Sequence, residues 1–243
     1  MTGISRRGVI AGVAAAAAYP AINSGSYQLH AQVPTRYSKR AVDLVRESVI
    51  IDMLAPIKID FEPSFYSKPM SEKEEAEFLA SGITAFHHAV GTGGRENVLS
   101  FFAIWGNYVA RHAHLFLAVD KFANILRAKR EGKCAIIMGT QNAEHFQRPA
   151  DVKFFYEMGQ RVAQLTYNSQ NRIGSGSTDR VDGGISDFGV EIIKAMNDVG
   201  MLVDVSHSGD RTTLDAIALS AKPIAITHSN CRALIDHPRV KTD

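Results

Sequence analysis

Two histidines occupy matching positions in this chain. The apolar run Met201-Leu202-Val203-Asp204-Val205 ends in Ser206-His207, and the run Pro223-Ile224-Ala225-Ile226-Thr227 ends in His228-Ser229. Two imidazoles at the ends of neighbouring strands can share one metal ion through ring nitrogens. A cation held in that way polarises a carbonyl and activates water, which is the chemistry of hydrolysis. A lone histidine in such a place is more often a hydrogen-bonded structural residue. The repeat of one context, strand then Ser or Thr then His, is what points to a site.

The elements around the pair decide whether the rings can meet. Both runs are short, rich in β-branched residues and nearly unbroken, as expected of strands covered on both faces. Residues 211–221 between them are expected to form a helix with Leu214, Ile217 and Ala218 on one face and Pro223 as its stop. A strand–helix–strand unit places its strands parallel, so both histidines emerge at the same end of the sheet. In (β/α) barrels that end carries the chemistry.

Earlier segments repeat the alternation. Strands are expected over 48–54, 82–90, 133–139 and 161–167, with a short edge strand over 115–119. Helices are expected from Ser71, with Glu74 closing a capping box, over 97–112, 121–130 and 152–158, and from Ser186 to Gly200. An amphipathic helix with Val42, Leu44 and Val45 follows a linker that begins at Val33. The segment 55–69 holds three prolines and reads as a long loop. Residues 168–184 form a second long polar loop, either solvated or closing over a substrate. His87 and His88 are strand neighbours, so at most one faces the barrel, in a lining or loop-contact role. The glycines at 91–94 lack the Gly-Lys-Ser/Thr ending of a phosphate loop. The fold class expected is α/β, a (β/α)8 TIM barrel with about six of its eight strands present. A smaller open sheet is the alternative.

The chain has 243 residues and a formal net charge of +2, which gives no case for nucleic acid as a partner. Two cysteines, Cys134 and Cys231, fall at opposite ends of parallel strands, so no bridge between them is expected. Arg6-Arg7 precedes a short apolar run, Ala14 to Ala18. That pattern reads as a twin-arginine export signal, with an Ala-rich helix as the alternative. The run is too short to span a bilayer in the mature chain. The expected organisation is therefore 1–31 as export signal and linker, then 32–243 as the barrel catalytic domain, incomplete at its C-terminus. The expected destination is the periplasm or the medium.

The stretches Leu202 to His207, Lys222 to Asn230, Arg232-Ala233-Leu234 and Asp236-His237-Pro238-Arg239 resemble the membrane (renal-type) dipeptidase family of metallopeptidases. Gly183 to Gly189 and Met196-Asn197 match it too, and the resemblance runs from about Ser48 to Asp243. It implies an amidohydrolase-like barrel, a two-zinc site and hydrolysis of dipeptides. It implies that His207 and His228 ligate one zinc, and that Arg239 binds the substrate carboxylate. Elsewhere the chain departs from the pattern. The first strand's His-x-Asp pair is replaced by Leu54 and Pro56. The bridging glutamate aligns with Gln141. The histidine that steadies the tetrahedral intermediate aligns with Tyr167, whose phenol can still donate to an oxyanion. The last aspartate of the family falls beyond Asp243.

A two-metal site needs anionic ligands to hold two dications close together. The residues here accordingly predict one zinc, on His207, His228 and Gln141, rather than two. Asp52 and Asp204 are alternative carboxylates near the barrel mouth or interior, although a buried carboxylate is more often paired for structural reasons. The function expected is a metal-dependent dipeptidase acting on dipeptides or dipeptide-like amides. The alternative is a metal-poor periplasmic relative that binds or matures a peptide-derived molecule. The partners expected are a small peptide substrate and a second copy in a homodimer.

Overall fold

A computed structural model describes residues 37–57, 67–90 and 93–243. The export signal expected within residues 1–31 lies outside them, as do residues 58–66 of the loop expected over 55–69 and residues 91–92 of the glycine-rich segment.

In chain order the elements are α1 (Lys39–Glu47), β1 (Ile51–Asp52), α2 (Glu72–Ala80), β2 (Ala85–Val90), α3 (Arg95–Arg111), β3 (Phe116–Ala118) and α4 (Phe122–Glu131). Then come β4 (Cys134–Thr140), α5 (Ala150–Glu157), β5 (Gln160–Gln164), α6 (Asp187–Val199), β6 (Leu202–Asp204) and α7 (Asp210–Leu219). The strands form one parallel sheet in the order β1-β2-β4-β5-β6, with β3 also paired to β4. This is the α/β barrel arrangement, curled as half a barrel, and six strands are present among the described residues, as expected. They are not the same six. The run 223–227 makes only a single parallel bridge, Ala225 to Asp204. The expected edge strand, 116–118, supplies the sixth.

Alternation along the strands divides the core in two. Phe86, Ile136, Met138, Ala163 and Val203 face a helical layer that includes Phe102 and Trp105 of α3, Phe155 of α5 and Ile192 of α6. Ala85, Ala135, Ile137 and Val162 face the other way, against Ile125 and Ala128 of α4. His87 and His88 divide between the two faces, as strand neighbours must. His88 packs in the helical layer, its ring 4.1 Å from Trp105 and 5.2 Å from Phe101. His87 lies over Gly139: a Cβ on that glycine would sit 2.1 Å from His87 Nε2.

Local signals set the helix ends. Ser71 and Glu74 form the expected capping box on α2. Ser186 caps α6, and Gly200 ends it at φ +81°. Two further expectations fail. The first strand is confined to Ile51–Asp52, because only those residues pair with β2, and both are exposed at the sheet edge. Helix α7 turns the wrong face inward: Leu214 is 62% and Ile217 56% exposed, and the buried residues are Thr212, Thr213 and Ala216. Polar contacts select that face, since the Thr212 hydroxyl accepts from Ser175 N at 3.1 Å and donates to Asp182 at 3.1 Å.

Cys134 is buried, Cys231 is exposed, and both are free. No helix among the described residues is long and apolar enough to cross a membrane.

Candidate active site

The parallel sheet brings the two histidines together at the C-terminal ends of its strands. His207 follows β6, and His228 follows the segment bridged to it through Ala225. Their Nε2 atoms lie 2.9 Å apart. Gln141, just past the end of β4, places its amide nitrogen 3.2 Å from His228 Nε2. The three residues expected to hold a cation therefore converge. Among the described residues no third His, Cys, Asp or Glu joins the two histidines.

The proton inventory around the pair can be worked out from fixed donors and acceptors. Asp204 is fully buried at the end of β6. It accepts from Ser206 N at 2.9 Å, Ser206 Oγ at 2.6 Å, Thr227 Oγ1 at 2.7 Å and Thr227 N at 3.3 Å. Each hydroxyl has one hydrogen; the two hydroxyls also lie 3.0 Å from each other, but the carboxylate is the stronger and nearer acceptor for both. Thr227 Oγ1 is thus an acceptor toward His228 Nδ1, 2.8 Å away, so that nitrogen carries the proton. His207 Nδ1 lies 2.7 Å from the side-chain oxygen of Asn168 and donates to it. With both Nδ1 atoms donating, each Nε2 presents a lone pair, and the two Nε2 atoms face each other.

Burial keeps the two rings neutral. Desolvation, joined by the charge of Arg239, takes His207 down to about 3. His228 is lowered to about 4, again chiefly by burial, although Asp204 acts in the opposite sense. Two acceptors at 2.9 Å repel unless a cation or a donor lies between them, and the Gln141 amide donates to one of them. One metal ion therefore fits this donor set. A second does not fit on the described residues. Leu54 and Pro56 carry no donor side chain, and the Leu54 N–H is bound to Asp52 Oδ1 at 2.9 Å. Asp52 is exposed and caps its own turn, and the oxygens of Asp204 are filled by four donors. Neither expected alternative carboxylate is available to a cation.

The other expected site residues surround the pair. Tyr167 lies flat on His207, ring centroids 4.1 Å apart and planes 16° from parallel. Arg239 donates to Ser206 O at 2.5 Å and to His228 O at 2.9 Å, tying together the main chain of both histidine-bearing segments. Lys241 is buried behind them and donates to Ser208 O and to Thr213 Oγ1. Desolvation lowers its ammonium to about 8. Sequence reading missed Asn168, Thr227 and Lys241 as neighbours of the pair. Thr227 adjoins His228 in the chain. Asn168 reaches its position only through the folding of the long loop, which no local pattern announces.

Comparison with known families matches residues 40–243 to "Membrane dipeptidase (Peptidase family M19)". The dipeptidase verJ of Clonostachys rogersoniana is 32% identical over 117 residues, which is 47% of this chain and 30% of that protein. The dipeptidase tcpJ of Claviceps purpurea is 30% identical over 122 residues, 49% of this chain and 29% of that protein. The matched stretch thus spans under a third of the length of these relatives. Among solved structures, an amidohydrolase from Pseudomonas aeruginosa superposes with a TM-score of 0.72 at 30% identity, covering 83% of this chain and 59% of that one. The probable dipeptidase PvdM from the same organism gives 0.68 at 20% identity, covering 83% and 57%. A metallo peptidase from Rhodobacter sphaeroides, liganded with a phosphinate mimic of L-Ala-D-Ala, gives 0.65 at 16% identity, covering 80% and 68%. The last two likenesses bear on the fold alone.

Proposed function

The chain belongs to the membrane dipeptidase family, and from that membership we propose that it serves metal-dependent hydrolysis of dipeptides or dipeptide-like amides. The observation that carries this reading is the approach of the two Nε2 atoms to 2.9 Å at the rim of a parallel sheet. His207 and His228 would hold one zinc ion there, and the Gln141 amide, which here places its nitrogen on His228, would turn to offer its oxygen. When bound, such an ion supplies Lewis acidity to a carbonyl and lowers the pKa of a water.

The chain's own residues do the rest. Arg239 is anchored by two carbonyls, and its remaining N–H groups suit the free carboxylate of a short peptide. Tyr167, fixed by stacking on His207, offers its phenol to a developing oxyanion. The half-burial of the rim excludes part of the solvent, which strengthens both contacts. The Arg6-Arg7 pair and the alanine run support export of the protein by the twin-arginine route to the periplasm. A homodimer is part of the same reading.

A second reading has its own support. Leu54, Pro56 and Gln141 stand where the family pattern has ligands, which favours a weak-metal relative that binds a peptide-derived molecule without efficient cleavage. Elemental analysis of the purified full-length protein, with a dipeptide hydrolysis assay, separates the two. About one zinc per chain and measurable hydrolysis, both lost in His228→Ala, are expected. A folded wild-type protein with no zinc and no turnover sinks the first reading and leaves the second.

A further inference from the structure

Asn168 opens the long loop, next to the tyrosine that stacks on His207. Its main chain is held firmly. The Asn168 carbonyl accepts from Thr178 N and from Thr178 Oγ1, each at 2.9 Å. Gly176 packs on the same peptide so closely that a Cβ there would lie 2.2 Å from the carbonyl oxygen. The loop is also laced to the strand end that carries His207. Ser177 N donates to His207 O at 2.8 Å, and Gly209 N donates to Ser175 O at 3.1 Å. Farther along, Asp182 accepts from Arg211 N at 2.7 Å at the start of α7. A segment with these ties is a fixed arm, and its first side chain ends on an imidazole nitrogen.

We infer that Asn168 and Thr227 are positioning residues that lock His207 and His228 in the Nδ1–H tautomer, so that both Nε2 lone pairs point at the cation position. This rests on the one-cation reading above. The physical case is the same for both rings. A neutral imidazole carries its proton on either nitrogen, and the acceptor at one nitrogen decides which. Asn168 Oδ1 at 2.7 Å makes that choice for His207, and Thr227 Oγ1 at 2.8 Å makes it for His228. Thr227 is in turn oriented by Asp204, which takes its hydroxyl hydrogen at 2.7 Å. Without these acceptors, part of each population would present an N–H where the metal must bind. Groups that orient a metal-bound histidine in this way typically account for 10–100-fold in affinity.

The experiment uses the full chain, labelled with 15N-histidine and stripped of metal. Two-bond 1H–15N correlations at neutral pH report which ring nitrogen is protonated, and Co2+ titration followed by visible absorption reports affinity. Nδ1–H is expected on both rings. Asn168→Leu is expected to weaken Co2+ binding by about 10–100-fold and to move His207 toward Nε2–H, whereas Asn168→Asp, which keeps the acceptor, restores both. Thr227→Val and Thr227→Ser form the equivalent pair for His228. Nε2–H on either ring of the wild type overturns the inference, as does wild-type affinity in Asn168→Leu. Where the leucine variant does not fold, the wild-type spectrum decides. A wild-type chain with Nδ1–H on both rings and no Co2+ binding upholds the lock, and the one-cation reading is then what fails.

Discussion

Gln141 is the residue at which this chain differs most simply from a charged metal site. Its amide lies 3.2 Å from His228 Nε2, so a carboxylate in its place would stand next to the cation without rearrangement of the chain. A full negative charge at such a distance is worth far more to a dication than an amide oxygen. Gln141→Glu is therefore expected to tighten Zn2+ binding by roughly tenfold or more, measured by competition against a chromogenic chelator. Unchanged affinity would mean that residue 141 does not face the ion. Much at this scale was legible in the sequence. His207 and His228 announced themselves by repeating one context at two strand ends. Asp204 was expected to be a paired structural carboxylate sooner than a ligand, and its four donors, which the sequence could not name, bear that out.

At the scale of elements, the arm formed by residues 168–184 turns a polar, glycine-rich stretch into a brace for the site. Its composition suggested a solvated loop or a moving cover, and the structure shows it tied at both ends. The reason was hidden in the sequence, since it depends on Gly176 having no side chain where the chain crosses over Asn168. Gly176→Ala is expected to push the Asn168 main chain away, at a cost of about 1–3 kcal/mol in stability. Chemical denaturation would read that loss, and weaker Co2+ binding should accompany it. An alanine variant as stable as wild type would show that the crossing is loose. The same scale explains the misjudged face of α7. Hydrophobic periodicity identifies an apolar stripe but not which stripe is covered, and here Thr212 is held by contacts from the loop while Ala216 joins the main core. The first strand shrank for a related reason: an apolar run becomes a strand only where a neighbour pairs with it.

At the scale of the whole molecule, the fold stores neutral imidazoles. His88 is taken down to about 3 and His145 to about 4, in both cases first by burial. An unfolded chain protonates these rings as pH falls through about 6.5, whereas the folded chain does not until near the lowered values. The folded state therefore binds fewer protons in that window, and stability must fall as pH falls. It is complete above about pH 6.5 and declines toward pH 4. Calorimetry from pH 7 to pH 4.5 is expected to show a steadily dropping melting temperature, with a shallower slope in His145→Gln. A flat profile over that range would contradict the burial of these rings. The architecture itself was readable from the alternation of strands and helices. The edge of the sheet was not, because a single bridge at Ala225 is a tertiary outcome.

The two thiols are unequal in a useful way. Cys134 is enclosed, and desolvation holds its thiol up at about 12, which keeps it out of reach of alkylating reagents. Cys231 is open to solvent and stands three positions after His228 in the chain. The native protein thus carries a single handle for a maleimide dye, set beside the rim where a cation would arrive, and needs no engineered cysteine to accept one.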